Sequence, residues 1–496
     1  MENNLYILNP DYILKHDLKR TFLLSKLNTQ LTFSQKSWFS IIHPVQAMIF
    51  SFFSEPDTLD NSIGKISEFL GLDKNQTEKL ISPYIENIEP YDTEYQNEKF
   101  RFPKKLIIKY TKKIITYNKY NVDDFVYIDL DFKSDRMFVA PKSIVLMVNN
   151  VCVTDCIYCY ADKTNKVKCQ IPFFRIKEII KDAQKNKVTD FEIVGGEFFL
   201  YENWFELLHE LKDYGFIPSL ISTKLPLKEE DIIKLTNFKE IKYQISLDTI
   251  NIEESQQLLN VKKDYIKQII NTLKLFDKYE IKYSIATVLT KINLKKESLE
   301  SLYSFLSELK YITKWNLRLP FKSIYSKIDF EHFKINDIKE VEDIFEYLCN
   351  INSEKKLNII LNKSIFERGY NTAEDGTKSF NGAKCTALAT NIFILPDGNV
   401  TICEQLYWKE QFIIGNILTH NIQEIWNSPK SLSLAFPKPE EFRDEIECKK
   451  CELFENCFHE YHNKCWADTI KAYGEENYDF PDPRCIKAPK ITHKLN

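Results

Sequence analysis

Cys152, Cys156 and Cys159 stand in a CxxxCxxC spacing inside SIVLMVNNVCVTDCIYCYAD, directly after a short apolar run that reads as a strand. Three thiolates so placed can hold three irons of a cubane iron–sulfur cluster and leave the fourth open to bind and reduce a small molecule. Other uses of these cysteines fit less well. Tetrahedral zinc wants a fourth ligand in a matching pair, whereas Cys169 stands alone ten residues on. Disulfides belong to oxidising compartments, and the N terminus, MENNLYILNP, shows no basic, then apolar, then small-residue export signal. Twelve cysteines in a chain read as cytoplasmic therefore point to metal.

The next predicted strand, TDFEIVGGEFF, ends on Gly195-Gly196-Glu197. CxxxCxxC with Tyr158 before its last cysteine, followed on the adjacent βα unit by GGE, resembles the signature of the radical S-adenosylmethionine (SAM) superfamily. The resemblance implies a 4Fe–4S cluster on Cys152, Cys156 and Cys159, with the amine and carboxylate of SAM on the open iron. One electron passed to the sulfonium then releases methionine and a 5′-deoxyadenosyl radical. It also implies cofactor contacts from Tyr158, from Glu197 accepting from the methionyl amine, and from Gly195 and Gly196, which lack a Cβ that would keep backbone away. Ser222 and Thr223 in SLIST, and Ser246 and Asp248 in YQISLDT, are similar to family positions that contact the methionyl carboxylate and ribose. As strand-end residues they equally fit simple turns or caps. Lys224-Leu225 departs from the Asn-Gly of many relatives.

From residue 143 to about 350, short apolar runs alternate with amphipathic stretches, predicting strands near 143–149, 190–194, 218–222, 241–247, 282–289 and 315–320. In FFRIKEIIKDAQ between them, Ile176, Ile179, Ile180 and Ala183 fall on one helical face. Repeated βα units predict an α/β fold with a parallel sheet and right-handed crossovers. Six units fit the family's open, partial (β/α)6 barrel, with the active site at the strands' C-terminal ends. All the motifs above fall there. Arg318, at a strand end in WNLRLPF, could meet a cofactor or substrate carboxylate, or pair with a surface acid.

A second cysteine group follows residue 380: Cys385, then Gly398 and Cys403, then Cys448-x-x-Cys451, Cys457, Cys465 and Cys485. This order resembles a SPASM domain, which binds auxiliary iron–sulfur clusters. By position, the resemblance implies one 4Fe–4S cluster on Cys448, Cys451, Cys457 and Cys485 and another on Cys385, Cys403 and Cys465. The family usually spaces the third and fourth cysteines of the middle block by three residues. Here FHEYHNK puts seven between Cys457 and Cys465, so a longer loop delivers Cys465, or His459 or His462 intrudes as a ligand. The fourth position of the three-cysteine cluster is open, water-bound or filled by substrate. A zinc ribbon is the competing use of such CxxC pairs. Glu404, beside Cys403, matches a carboxylate that acts as a base in related peptide-modifying enzymes, or is simply solvent-facing.

Residues 1–120 lack motif cysteines. LYILNPDYILKHDLKRTFLLSK reads as short strands; PVQAMIFSFF, TLDNSIGKISEFLGL and DKNQTEKLISPYIEN read as helices, the last with a capping box at Asp73 and Gln76 and with Leu80, Ile81, Tyr84, Ile85 and Ile88 on one face. With a wing near FRFPKKLIIKY, this pattern is similar to the winged-helix element that grips leader peptides in peptide maturases. Between residues 61 and 100 eight acidic side chains face four basic ones, and the whole chain carries a net charge of −4. That balance argues against nucleic acid, whereas a leader held by strand addition needs no basic face. No apolar stretch reaches membrane-spanning length; WFSIIHPVQAMIFSFF is broken by His43, Pro44 and Gln46.

The expected organisation is a winged-helix-like peptide-recognition domain over 1–120, a radical SAM barrel over 121–365 and a SPASM domain over 366–496. The expected function is the cytoplasmic maturation of a ribosomally made precursor peptide by cross-linking, through a thioether or a carbon–carbon bond, with electrons from flavodoxin or ferredoxin. Oxidation of Cys or Ser on a folded protein, as in sulfatase maturases, and a non-catalytic metal-bound scaffold are the alternatives.

Overall fold

Strand and helix alternate between residues 143 and 362 of this chain, in a computed structural model describing residues 4–26, 38–95, 97–134, 136–164, 166–362, 370–372, 376 and 378–492. The chain divides into two compact units, Met1–Lys142 with Ala183–Thr189, and Ser143–Asp182 with Asp190–Asn496. The expected boundary at residue 365 lies outside the described residues.

The first unit opens with β1 (Leu5–Leu8), β2 (Tyr12–His16), β3 (Thr21–Ser25) and β4 (Phe39–Ile42). There follow α1 (Pro44–Ser51), β5 (Asp57–Thr58), α2 (Leu59–Leu70), α3 (Lys74–Ile81), β6 (Tyr91–Tyr95), β7 (Glu98–Phe102) and β8 (Ile107–Lys109). β2, β3 and β4 form an antiparallel meander with β3 in the centre; β5, β1 and β8 form a second antiparallel sheet, and β6 and β7 a hairpin. His43 with Gln46 caps α1, and Gly71, at φ 65°, ends α2 in the left-handed region that favours glycine. Asp73 and Gln76 form the predicted box on α3, and removing such a cap costs about 1 kcal/mol. α3 stops at Ile81 and tightens into a 3-10 turn at Ser82–Tyr84, because Pro83 has no N–H to extend the ladder. Ile81 and Tyr84 are therefore buried, whereas Leu80 and Ile88, expected on the same apolar face, are exposed. The core gathers Phe50, Phe53, Ile66, Phe100, Phe102 and Ile107 from helices, hairpin and sheet.

Beyond Lys142 come β9 (Ser143–Met147), α4 (Phe173–Lys185), β10 (Asp190–Val194), α5 (Trp204–Asp213), β11 (Ile221–Thr223), α6 (Glu229–Leu235) and β12 (Tyr243–Ser246). Then follow α7 (Ile252–Leu259), α8 (Tyr265–Lys278), β13 (Tyr283–Val288), α9 (Lys296–Leu306), β14 (Ile312–Arg318), α10 (Ile338–Ile351) and β15 (Ile359–Asn362). β9 pairs in parallel with β10, and β11 to β15 pair in parallel in sequence order. All six expected strands are present, and β15 adds a seventh beyond the reach of the periodic pattern. Ile176, Ile179, Ile180 and Ala183 are buried, as are Ile245, Ile285 and Leu317 on the strands. Each of these Ile and Leu side chains contributes about 1.5–3 kcal/mol by leaving water.

The remainder holds the hairpin β16 (Tyr370–Thr372) and β17 (Lys378–Phe380), the strands β18 (Asn391–Ile394), β19 (Asn399–Thr401) and β20 (Ile413–Asn416), and α11 (Ile422–Trp426), α12 (Pro429–Ala435) and α13 (Trp466–Tyr473). β18 lies parallel to β9, on the side away from β10, and carries β19 and β20 antiparallel beyond it. Gly398 turns β18 into β19 at φ 87°, where a Cβ would stand 2.8 Å from Leu418. Among the described residues no helix is long and apolar enough to cross a membrane.

Candidate active site and auxiliary cysteine sites

Just beyond β9 stand Asn149 and Asn150, whose side chains tie the cysteine loop down. Asn149 donates to the Glu197 carbonyl (3.0 Å) and Asn150 to the Asp162 carbonyl (3.1 Å), while Asn150 Oδ1 accepts from Val167 N (2.6 Å). Thr154 Oγ1 sits 3.5 Å from Cys152 Sγ and 3.2 Å from Cys156 Sγ. The GGE turn at the end of β10 packs on this loop so closely that a Cβ on Gly196 would meet Val151 O at 2.4 Å and Asn150 C at 2.5 Å. The glycine thus admits the chain's own cysteine loop.

Glu197 is buried and its carboxylate accepts four hydrogen bonds, from Thr223 Oγ1 (2.9 Å), Phe199 N (3.3 Å), Lys224 N (2.9 Å) and Leu225 N (3.1 Å). Burial pushes its pKa up and these donors oppose the shift. Four bonds saturate a carboxylate, so Glu197 braces β10 against the end of β11. Ser222, at the end of β11, accepts from Gln244 Nε2 (2.9 Å) and lies 3.4 Å from Ser246 Oγ on β12. Arg318, at the end of β14, donates to Gln244 Oε1 (2.8 Å).

These strand ends enclose one cavity of ≈ 390 Å³, within the range of small-molecule sites. It brings together Cys152, Cys156, Cys159, Tyr158, Gly195, Gly196, Glu197, Ser222, Thr223 and Ser246, joined by Lys224, Arg318 and Tyr160. Asp248 lies behind, 1% exposed, and accepts from Val288 N (2.8 Å), from Lys224 Nζ (2.8 Å) and from the Tyr158 hydroxyl. Lys224 Nζ also donates to Tyr158 (2.9 Å). Burial pulls the Lys224 pKa down, but Asp248, Cys156 and Tyr265 together raise it by more, so the ammonium stays charged. Lys224→Met strands that carboxylate in the interior, and we expect a loss of about 3 kcal/mol in a urea melt. The double variant with Asp248→Asn should recover most of it.

Glu404 is half-buried; burial raises its pKa, against a hydrogen bond from Tyr160 and the charge of Lys471. Tyr160 lines the cavity, so the phenol links Glu404 to it. Sequence reasoning missed Tyr160: an aromatic after a cysteine has no diagnostic spacing.

The later cysteines fall into two sets, each close enough for its thiols to interact electrostatically. Cys385 neighbours Cys403 and Cys465, and Cys448, Cys451, Cys457 and Cys485 line a common cavity. Cys385 N donates to His462 O (2.7 Å), Cys465 N to Asp482 Oδ2 (2.8 Å), and Gln405 N to Cys403 Sγ (3.4 Å). The seven-residue insert winds a π-helical turn at Asn456–Glu460. His459 is turned to the Pro437 carbonyl (2.9 Å) and to Glu455, while His462 lines a pocket with Cys385. Among the described residues no three His, Cys, Asp or Glu side chains converge on a single-ion site. Burial pushes the thiols of Cys159 up to about 11 and of Cys403 and Cys448 up to about 12. Bare, they keep their protons at neutral pH, so metal must displace them.

Known proteins resemble this chain in sequence and in fold. Residues 146–306 match the Radical SAM superfamily and residues 385–452 the SPASM iron-sulfur cluster-binding domain. The chain is 22% identical over 300 residues to the sporulation killing factor maturation protein SkfB of Bacillus subtilis, covering 59% of this chain and 67% of SkfB. It is 23% identical over 322 residues to the antilisterial bacteriocin subtilosin biosynthesis protein AlbA of the same organism, covering 64% and 67%. The fold matches Streptococcus suis SuiB bound to precursor peptide SuiA with TM-score 0.63 at 17% identity, over 97% of this chain and 100% of that one. SuiB bound to S-adenosylmethionine matches with TM-score 0.59 at 17% identity, over 96% and 98%. The chain is thus a radical SAM enzyme with a C-terminal SPASM domain, binding S-adenosylmethionine, a 4Fe–4S cluster and auxiliary iron–sulfur clusters, and it resembles the maturases of ribosomally synthesised peptides.

Proposed function

We propose that this enzyme installs a cross-link in a ribosomally synthesised precursor peptide, a thioether in preference to a carbon–carbon bond. The observation that carries the reading is the order of elements in the first unit: an antiparallel meander, then α1, β5, α2, α3 and the β6–β7 hairpin. That order resembles a winged helix, and β2 and β4 are the edges of a sheet to which an extended leader can add. The names of SkfB and AlbA as maturation and biosynthesis proteins support it, as does SuiB with its precursor peptide. Within the chain we infer a leader-recognition domain over 1–120, the barrel over 121–365 and the SPASM domain over 366–496.

Cys152, Cys156 and Cys159 would hold the first cluster. When bound, SAM and this cluster supply a 5′-deoxyadenosyl radical that takes hydrogen from the substrate. Ser222, Ser246 and Arg318 offer a polar row to the methionyl carboxylate and ribose. Glu197 would accept the methionyl amine in place of one of its present donors. Asp248 acts through Lys224 and Tyr158 and keeps both in place. Cys385, Cys403 and Cys465 would hold one auxiliary cluster, whose fourth position suits a substrate thiolate, and Cys448, Cys451, Cys457 and Cys485 the other. A low-potential donor such as flavodoxin or ferredoxin would reduce the enzyme in the cytoplasm.

Tyr160 would pass a substrate proton to Glu404. General-base catalysis contributes roughly 10²–10⁴-fold, so Glu404→Gln should lower product formation about 100-fold while 5′-deoxyadenosine still forms. A base works only when deprotonated. With its pKa raised by burial, wild-type activity should fall, as pH drops, above the ordinary carboxylate range, and the Gln variant should lose that limb.

The function is tested with the full chain, reconstituted anaerobically and given SAM, dithionite and the peptide encoded by a neighbouring short, cysteine-containing reading frame. Mass spectrometry should show loss of two hydrogens per link and strict dependence on the leader. Equal modification of a leaderless core would sink the leader-guided reading in favour of oxidation of a Cys or Ser on a protein.

A further inference from the structure

We propose that Lys464 is the counter-charge of the auxiliary cluster on Cys448, Cys451, Cys457 and Cys485, its ammonium donating a hydrogen bond to cluster sulfur and raising the cluster's reduction potential. The proposal rests on the reading that these four cysteines hold a cluster.

Lys464 is 4% exposed, and among the described residues its Nζ has no hydrogen-bond partner. Aromatic faces surround it, Trp466 at 4.0 Å, Phe442 at 5.5 Å and Phe458 at 5.8 Å. Such faces attract a cation but accept no strong hydrogen bond. The neighbouring carboxylates are bound elsewhere. Asp479 takes Arg443 (2.7 Å), and Asp482 takes Arg484 (2.7 Å) and Cys465 N (2.8 Å). A buried ammonium without an anion is costly, and Lys464 lines the cavity that the four cysteines share. Among the described residues the only other lysine lining that cavity, Lys487, reaches Cys451 Sγ at 3.6 Å.

The position also gives the long insert a purpose. FHEYHNK ends on Lys464, immediately before Cys465 of the three-cysteine set. Lys464 therefore lines both the four-cysteine cavity and the pocket beside Cys385. One-electron reduction adds one negative charge to a cluster, and hydrogen bonds to its sulfurs and local net charge set how readily that happens.

The test is an EPR-monitored redox titration of full-length, reconstituted wild type, Lys464→Met and Lys464→Arg. In Lys464→Met with wild-type iron content, one auxiliary cluster should become harder to reduce by at least tenfold in its reduced-to-oxidised ratio at fixed potential, about 59 mV for a one-electron couple. Lys464→Arg should stay near wild type. A fully loaded Lys464→Met with every midpoint unchanged overturns the proposal and leaves the cluster assignment standing. If the Met variant holds no iron there, pulsed EPR on nitrogen-15-lysine protein decides. A lysine nitrogen coupled to the reduced cluster in wild type and lost in Lys464→Arg supports the proposal; absence of that coupling in wild type overturns it. Wild type without auxiliary iron overturns the cluster reading and the proposal together.

Discussion

Cys156→Ala is expected to abolish 5′-deoxyadenosine formation while the auxiliary iron stays in place. Cys156 is buried at the centre of the cysteine loop, 3.2 Å from Thr154 Oγ1, and among the described residues only Cys152 and Cys159 join it as cysteines lining the active-site cavity. Two thiolates cannot hold a cluster that needs three. The loss should exceed the roughly 10–100-fold that removal of a mere outer-shell partner costs a metal site. The check is anaerobic reconstitution, iron quantitation and chromatography of the nucleoside beside wild type. Undiminished cleavage of SAM by the variant would remove Cys152, Cys156 and Cys159 from the cluster and reopen the site assignment. Wild type that cleaves SAM only when peptide is added would instead show that substrate gates the reaction.

Gly196→Ala should be nearly as damaging, although it removes no ligand. The added Cβ would sit 2.4 Å from Val151 O and 2.7 Å from Asn150 O. Both contacts are backbone, so no flexible side chain can move aside; the cysteine loop or the GGE turn has to shift. Overpacking of this kind costs about 1–3 kcal/mol. Here the strain falls on the loop bearing Cys152, so loss of the first cluster's iron should accompany the loss of activity. Gly215→Ala is the control, since nothing lies within 4 Å of its Cβ position and only its φ of 80° is strained. If Gly196→Ala keeps full iron and full SAM cleavage, the close packing of these two loops does not govern the site.

Much of the barrel was legible because its signals are local. Alternation and 3.6-residue periodicity report which face of an element is buried, and Ile176, Ile179 and Ile180 on α4 behave as read. Ile88 fails on the same reasoning because α3 ends at Ile81, before the stripe can continue, and Leu80 fails because the face that α3 buries is that of Thr77 and Ile81. The pairing of β18 with β9 leaves no local trace. Nothing in NIFI says which strand it will lie against.

The site divides in the same way. Cysteine spacing, the GGE turn and the insert before Cys465 are written along the chain, since ligands on one short loop have their geometry set by that loop. The chemistry around them is assembled across long separations: Tyr158 and Asp248 are 90 residues apart and Lys224 joins them. Tyr160 meets Glu404 only when the cysteine loop packs beside the end of β19. Residue type and spacing thus determined which thiols could gather. Only packing could decide which carboxylates are saturated, like Glu197, which are paired, like Asp248, and which ammonium, Lys464, is left facing the cysteines, because burial and partner geometry are properties of the folded chain.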